Sequence, residues 1–228
     1  MDGLELNWLG DLLYLLPHKA IYRPRGRTLL IADTHFGKAA TFRRAGIPIP
    51  HGTTAVDLAR LDALLLQTAA ERLVVLGDFF HAKTSRAEQT MQAIGEWRNS
   101  HAQLAVALVR GNHDRAAGDP PASWNFECNN ELLDLPFVYF HDAVPDARGY
   151  ALGGHLHPSF TLRNRTGPPL KCPCFWFEQQ HAVLPAFGSF TGTMPIARTP
   201  DDRVFLIGPD SVMECPSCAG RNSTRSSK

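Results

Sequence analysis

The chain has 228 residues, of which 44% are hydrophobic and 20% are charged, and its net charge is +1. This composition is typical of a globular protein and excludes a chain that binds nucleic acid through net charge alone. No apolar run reaches the ~20 residues of a membrane helix, and no signal peptide is recognisable. Five cysteines without a secretory signal predict free thiols and a cytoplasmic location.

The first half predicts alternating strands and helices. RPRG at 23–26 is a hairpin signal before the strand TLLIAD, and Thr54 with Asp57 resembles a capping box at a helix start. The strand RLVVLGD follows and ends in Asp78, then a helix over about 86–98, then the buried strand LAVALVRGNHD. This order is typical of an α/β arrangement with a largely parallel sheet.

The second half predicts shorter strands separated by turns: FVYFHDA, GYALGGHLH, SFTLRN, CFWFEQQ, HAVLPAF and RVFLIG. They indicate a second, mostly antiparallel sheet packed on the first. Residues 116–121 predict a loop. We expect residues 1–214 to form one domain and residues 215–228 to form a disordered tail.

Polar side chains with metal-binding chemistry follow each predicted buried strand. They are Asp33, His35, Asp78, Asn112, His141, His155 and His157. Ligands of open α/β sheets gather beyond the carboxyl ends of the strands, so we expect these seven to converge. Seven donor side chains are more than one zinc ion binds, and they suit two divalent ions that share a bridging carboxylate. Asp78 is the best bridge, because it stands alone with both oxygens free; oxygen and imidazole donors fit manganese, iron or zinc.

The cysteines offer a second metal hypothesis. Cys172 with Cys174, and Cys215 with Cys218, could together form a four-thiolate zinc site. The first pair has only one intervening residue and sits in an apolar strand pattern, so ordinary buried thiols are the alternative.

The blocks ADTHFGK, LGDFFH, RGNHD and GGHLH resemble, in this order, those of the calcineurin-like metallophosphoesterase superfamily. The longer runs ADTHFGKAATFRRAGIPIPHGTT, LGDFFHAK and LPAFGSFTG are similar to bacterial ligase-associated DNA damage response endonucleases. The resemblance covers about residues 12–198. It implies a two-sheet β-sandwich flanked by helices, with a dinuclear metal site at the carboxyl ends of the strands.

The resemblance also implies roles for single residues. Asp33, His35, Asp78 and His157 would hold one metal, and Asp78, Asn112, His141 and His155 the other. His113 would face the substrate and Asp114 would orient its ring. Asp142 stands where the superfamily usually has glycine, so the turn after His141 is expected to differ.

The implied activity is hydrolysis of a phosphodiester by water, with no covalent enzyme intermediate. The substrate would be DNA, the cofactor two divalent ions, foremost manganese, and the partners a DNA ligase or helicase, with no membrane. Lys38, Arg43 and Arg44 could bind flanking phosphates, or they could lie on an ordinary solvated surface.

Two other functions stay open at this point. Hydrolysis of a small nucleotide or pyrophosphate would use the same site. A non-catalytic scaffold of this fold would lack ligands or the catalytic histidine, and here all of them are present.

Overall fold

The computed structural model describes residues 2–49, 52–162 and 167–216, which form two β-sheets with helices on one outer face. The first sheet holds seven strands in chain order: β1 (Leu4–Trp8), β2 (Asp11–Leu16), β3 (Ala20–Arg23), β4 (Thr28–Ala32), β5 (Arg72–Leu76), β6 (Ala105–Val109) and β7 (Phe126–Asn129). Strands β1 to β4 pair antiparallel, including the predicted hairpin, and β4 to β7 pair parallel.

The second sheet holds nine strands: β8 (Leu132–Asp134), β9 (Phe137–Tyr139), β10 (Tyr150–Gly153), β11 (Pro158–Leu162), β12 (Leu170–Phe177), β13 (His181–Val183), β14 (Met194–Pro195), β15 (Arg203–Ile207) and β16 (Val212–Glu214). It is more mixed than the sequence predicted. Strand β10 lies parallel to both β9 and β13, and β14 lies parallel to β11. Short apolar runs reveal that a strand exists but not its direction, which is why the prediction missed these pairings.

Among the described residues, four α-helices connect the strands: α1 (Lys38–Arg44), α2 (Thr53–Thr68), α3 (Glu88–Ser100) and α4 (Asn112–Ala117). Short 3₁₀ turns cover Lys83–Ser85 and Ala122–Trp124. The loop predicted at 116–121 starts later than expected, because α4 continues to Ala117. Within the described ranges, no helix is both long enough and apolar enough to cross a bilayer.

Alternate residues of the first sheet enter two separate cores. Leu29, Ile31 and Val75 point to the helix side, where they pack with Leu58 and Trp97. Their neighbours point to the second sheet and pack in a core that contains Leu30, Val74, Leu76, Phe175 and Phe177. Side chains alternate across a strand, so a sheet covered on both faces needs a continuous apolar run. The predicted sandwich flanked by helices is confirmed.

The carboxyl-terminal end of the described chain is packed. Cys215 is buried, and its amide donates a hydrogen bond to the Val204 carbonyl at 2.7 Å. Arg198 also donates to the Cys215 and Pro216 carbonyls. Residues 217–228 of the predicted tail lie outside the described residues.

Candidate metal centre

The carboxyl ends of strands from both sheets meet at one edge of the sandwich. Asp33 follows β4, and its carboxylate Oδ2 accepts a hydrogen bond from the His155 amide, which follows β10, at 2.8 Å. This bond joins the two sheets at the point where the predicted ligands lie. All seven of these side chains converge here: Asp33, His35, Asp78, Asn112, His141, His155 and His157.

The first cluster consists of Asp33, His35 and His157, whose ligand atoms lie within 4.8 Å of one another. His157 Nε2 is 3.3 Å from His35 Nε2 and 3.6 Å from Asp33 Oδ1. One carboxylate oxygen and two imidazole nitrogens therefore face a common point.

The second cluster consists of Asp78, His141 and His155, again within 4.8 Å. His141 Nε2 lies 2.9 Å from Asn112 Oδ1, 3.0 Å from His155 Nδ1 and 3.5 Å from Asp78 Oδ1. The other Asp78 oxygen, Oδ2, is 3.7 Å from His35 Nε2 in the first cluster. Asp78 thus lies between the two clusters, as a bridging ligand would.

The expectation that both Asp78 oxygens are free was wrong. Oδ1 accepts a hydrogen bond from the backbone amide of His113 at 2.9 Å. A carboxylate oxygen has more than one lone pair, so this bond orients Asp78 and leaves capacity for a further ligand.

One oxygen in the first cluster lacks a partner. Asp33 Oδ1 is buried and, among the described residues, makes no hydrogen bond. A buried carboxylate oxygen left unpaired carries a desolvation cost of roughly 1–3 kcal/mol or more. Ring nitrogens of His157 and His141 lie 3.6 and 3.7 Å from this oxygen. The surroundings of this oxygen therefore fit a divalent cation.

Five of the seven candidate ligands have a left-handed backbone. The φ angles are 53° at Asp33, 45° at His35, 50° at Asp78, 68° at His155 and 50° at His157. Such conformations cost of the order of 1–3 kcal/mol each for residues other than glycine, and they concentrate at functional sites. Strain at these strand ends turns the ligand side chains toward one point.

Two glycines let the carboxylates approach the backbone. A Cβ at Gly111 would lie 2.1 Å from Asp78 Oδ1, and a Cβ at Gly154 would lie 2.2 Å from Asp33 Oδ2. No side chain larger than hydrogen fits at either position without moving a candidate ligand.

Backbone carbonyls fix the orientation of the histidine rings. Nδ1 of His141 lies 3.2 Å from the Leu76 carbonyl, and Nδ1 of His157 lies 3.1 Å from the Gly192 carbonyl. A carbonyl only accepts, so each Nδ1 carries the proton and Nε2 keeps its lone pair toward the cluster. A hydrogen bond from the other ring nitrogen to a carbonyl is usual for histidines that bind metals.

Burial keeps the central histidines neutral. Burial, followed by the nearby His157 and Lys38, lowers the pKa of His35 to about 2. Burial, followed by Lys38 and His113, lowers the pKa of His81 to about 4. Burial raises the pKa of Asp78, while His141 opposes that shift. Neutral imidazoles have the free lone pair that a metal ion requires.

His113 lies at the border of the centre, half-buried. Its Nδ1 is 2.5 Å from the His81 carbonyl, and its Nε2 is 3.8 Å from Asp78 Oδ2. The first contact places the proton on Nδ1 and turns Nε2 toward the clusters.

The predicted role of Asp114 in orienting the His113 ring was wrong. The two oxygens of Asp114 accept hydrogen bonds from the amides of Phe79, Phe80 and Gly111, at 2.9, 3.3 and 2.9 Å. Burial raises the pKa of Asp114 to about 6, although these hydrogen bonds oppose the shift. Asp114 ties the loop after β5 to the start of α4, and the His81 carbonyl orients the ring instead.

His81 also lies at the centre, and it was not singled out from the sequence. Its ring stacks on His113 at 4.8 Å between centroids, and its Nδ1 is 3.4 Å from His35 Nδ1. Ring nitrogens of these three histidines lie within 4.8 Å of one another. The signal in the sequence that could have found it is its position three residues after Asp78.

The three basic residues proposed for phosphate binding all lie on α1. Lys38 begins the helix and lies close enough to His35 and His81 to lower the pKa of both. Arg43 reaches the Ile49 carbonyl at 3.5 Å, and Arg44 is exposed in the last turn. Lys38 is therefore placed beside the centre.

A cavity of about 270 Å³ opens beside the second cluster. Asn112, His141 and His155 line it, together with the basic residues Arg110 and Arg115. Arg110 is engaged with Asp119 through two hydrogen bonds of 2.7 Å. The cavity gives an anionic ligand a route to the second cluster.

Asp57 anchors the loop that supports the first cluster. It was predicted to form a capping box with Thr54, and that prediction was wrong. Helix α2 has no side-chain cap. Both Asp57 oxygens instead accept from the Ser189 amide at 3.1 Å, and Arg60 donates to one of them at 2.8 Å. The same loop donates from the Gly188 amide to the Asp33 carbonyl at 3.1 Å.

The cysteine hypothesis remains a prediction. Cys172, Cys174 and Cys215 share one apolar cluster on the second sheet. In the part of the chain that the structure describes, no cysteine belongs to a group with metal-binding spacing. Cys218 lies outside the described residues.

Comparison with known proteins agrees with this geometry. The sequence profile of the family described as calcineurin-like phosphoesterase matches residues 26–183, which contain every candidate ligand. Among solved structures, a nuclease MPE from Pseudomonas putida is 42% identical to this chain, with a TM-score of 0.84. The match covers 94% of this chain and 100% of that chain.

Two further structures are more distant. A protein of unknown function, AQ665 from Aquifex aeolicus, is 20% identical with a TM-score of 0.39, covering 61% of this chain and 81% of that chain. The phosphoesterase Yfce from E. coli is 13% identical with a TM-score of 0.41, and the match covers 83% of this chain and 98% of that chain. Neither score is high enough to support an argument about this chain. No curated protein matches it significantly.

Proposed function

The chain belongs to the calcineurin-like phosphoesterase family, and on that premise we propose that it is a phosphodiesterase with two divalent metal ions. The observation that carries this proposal is the convergence of seven donor side chains in two adjoining clusters around a buried, unpaired Asp33 oxygen. Structural carboxylates are paired when buried, so a cation is the simplest partner for this one.

The donor set divides naturally between two ions. Asp33, His35, Asp78 and His157 would hold one, while Asp78, Asn112, His141 and His155 would hold the other. Three oxygen donors and four imidazoles favour manganese, with iron and zinc as alternatives. When bound, such a pair polarises a phosphoryl oxygen and lowers the pKa of a water molecule.

His113 moves the proton in this proposal. The His81 carbonyl holds its Nδ1, so Nε2 is the atom that faces the reacting phosphate. In the doubly protonated ring, the second proton, on Nε2, would pass to the leaving alkoxide or stabilise charge on an equatorial oxygen. Arg115, on the rim of the cavity beside the second cluster, would attract the phosphate from solvent.

DNA is the proposed substrate. The similarity to a P. putida nuclease supports a nucleic-acid diester, and Lys38 beside the histidine group supports an anionic strand. The sequence resemblance extends the proposal to a repair context in the cytoplasm, with a DNA ligase or helicase as partner.

The test is a substrate panel with manganese-loaded protein. We expect turnover of bis(4-nitrophenyl) phosphate and of labelled DNA, and much slower turnover of 4-nitrophenyl phosphate. Activity on the monoester alone would contradict the diesterase proposal. If the protein hydrolyses the aryl diester but leaves single- and double-stranded DNA uncleaved, the proposed substrate would be a small nucleotide instead of DNA.

A further inference from the structure

A row of aromatic rings leads outward from the candidate metal centre. His81 stacks on His113 at 4.8 Å, Phe42 lies 6.5 Å from His81, and Phe190 meets Phe42 edge-on at 5.5 Å. The row therefore begins at the predicted substrate-facing histidine and ends in two phenylalanines.

The two phenylalanines are not part of the hydrophobic core. Both are half-buried, and neither belongs to the apolar clusters formed by the described residues. The adjacent Phe187, by contrast, is fully buried. A partly exposed aromatic pair outside the core leaves apolar ring surface available to a ligand.

Separate supports hold the two rings in place. Phe42 lies on α1, which the Thr41 hydroxyl fastens to Ser85 at 3.1 Å. Phe190 follows Ser189, whose amide is held by the buried Asp57. The rings are thus presented by anchored segments, which reduces the entropy lost when a ligand binds.

The charge around the rings matches a phosphate backbone. Helix α1 carries Lys38, Arg43 and Arg44 and has no acidic residue. Flat rings interleaved with basic side chains are the arrangement on which proteins bind single-stranded nucleic acid, because every base can stack and every phosphate is negative.

The geometry points to a base-stacking platform, formed by Phe42 and Phe190, that holds one or two unpaired bases beside the metal centre. This inference rests on the proposed function and narrows it. Bases in a duplex are already stacked on their neighbours, so the platform selects single-stranded segments of the substrate.

The experiment measures binding separately from catalysis. Binding of a labelled oligothymidylate in the presence of manganese would be measured by fluorescence anisotropy. All proteins carry His113→Ala, which should suppress turnover. The parent with this change alone is compared with the same protein carrying Phe42→Leu, Phe190→Leu or Phe42→Trp. The leucine variants keep apolar volume but remove the ring, and the tryptophan variant keeps a stacking surface. An abasic strand of equal length keeps the phosphates but has no bases.

We expect each leucine variant to bind oligothymidylate about tenfold more weakly and the tryptophan variant to bind as well as the parent. The leucine variants should bind the abasic strand like the parent. With His113 intact, their kcat for bis(4-nitrophenyl) phosphate should stay within about twofold of the wild type. Unchanged oligothymidylate binding, or an equal loss with the abasic strand, would overturn the platform. Absence of diester turnover in the wild type would instead overturn the proposed function.

Discussion

Substitution of Gly154 by alanine is the sharpest structural perturbation of the candidate centre. The added Cβ would lie 2.2 Å from Asp33 Oδ2 and 2.7 Å from the Ala32 Cβ. Asp33 cannot turn away cheaply, because Oδ2 accepts the His155 amide and the whole residue is buried. The backbone at Gly154 or the Asp33 carboxylate must therefore shift.

The expected effect is large on activity and moderate on stability. Real Cβ contacts are essentially never shorter than 3.0 Å, so the displacement approaches 1 Å, which in an active site can cost about 100-fold in rate. Overpacking of this kind destabilises a protein by about 1–3 kcal/mol. We therefore expect a folded protein that binds fewer metal ions and hydrolyses the aryl diester about 100-fold more slowly.

Gly192→Ala is the matched control. A Cβ at Gly192 has no neighbour within 4 Å, and its carbonyl can still accept from His157. Metal content after dialysis, diester kcat and urea unfolding would be measured for both variants. Near-wild-type metal content and kcat in Gly154→Ala would refute the placement of Asp33 against this glycine.

Three further substitutions test separate parts of the site. His113→Ala should retain both metal ions and lose about 10²–10⁴-fold in diester kcat, because only the proton-transfer group is removed. Asp78→Asn should lose metal content and activity together, since Asp78 contacts both clusters, whereas the exposed Asp210→Asn should lose neither. Asp57→Asn should lower the free energy of unfolding by about 1–3 kcal/mol, because a charged acceptor of the Ser189 amide is lost.

For each of these three substitutions, a different result would contradict one part of the proposed site. Wild-type kcat in His113→Ala would remove this residue from the mechanism. Full metal content in Asp78→Asn would exclude a bridging carboxylate. Unchanged unfolding of Asp57→Asn by urea would mean that the loop after β13 is held without this carboxylate.

The ends of the predicted strands were the feature of the sequence that best predicted the candidate metal ligands. Asp33, Asp78 and Asn112 each follow an apolar run, and parallel strands bring such residues to one edge. The direction of the parallel strands is therefore enough to predict which edge of the sheet carries the site. The same reasoning extended to His141 and His155, although their sheet is mixed.

Contacts between distant segments could not be predicted in this way. Asp57 sits at a helix start three residues after a threonine, which is the local pattern of a capping box. Its actual partner, Ser189, is 132 residues away. The family resemblance implied that Asp114 orients the His113 ring, whereas its carboxylate meets the amides of Phe79 and Phe80 across the loop.

Glycine and backbone conformation were only partly readable. Gly111 and Gly154 each precede a candidate ligand in the sequence, but this position does not reveal that Gly111 faces Asp78 and Gly154 faces Asp33. The positive φ angles at the ligands themselves could not be anticipated, because histidine and aspartate carry no local requirement for them.

The presence of two metal ions at the Asp33 and Asp78 clusters is tested most directly by measuring how many ions bind and where they lie. Protein saturated with manganese would be dialysed, its metal content measured by mass spectrometry, and the ions located by anomalous diffraction at the manganese edge. We expect two ions per chain, about 3.5–4 Å apart, with Asp78 between them. A single ion at saturation, or ions bound away from Asp33 and Asp78, would contradict it.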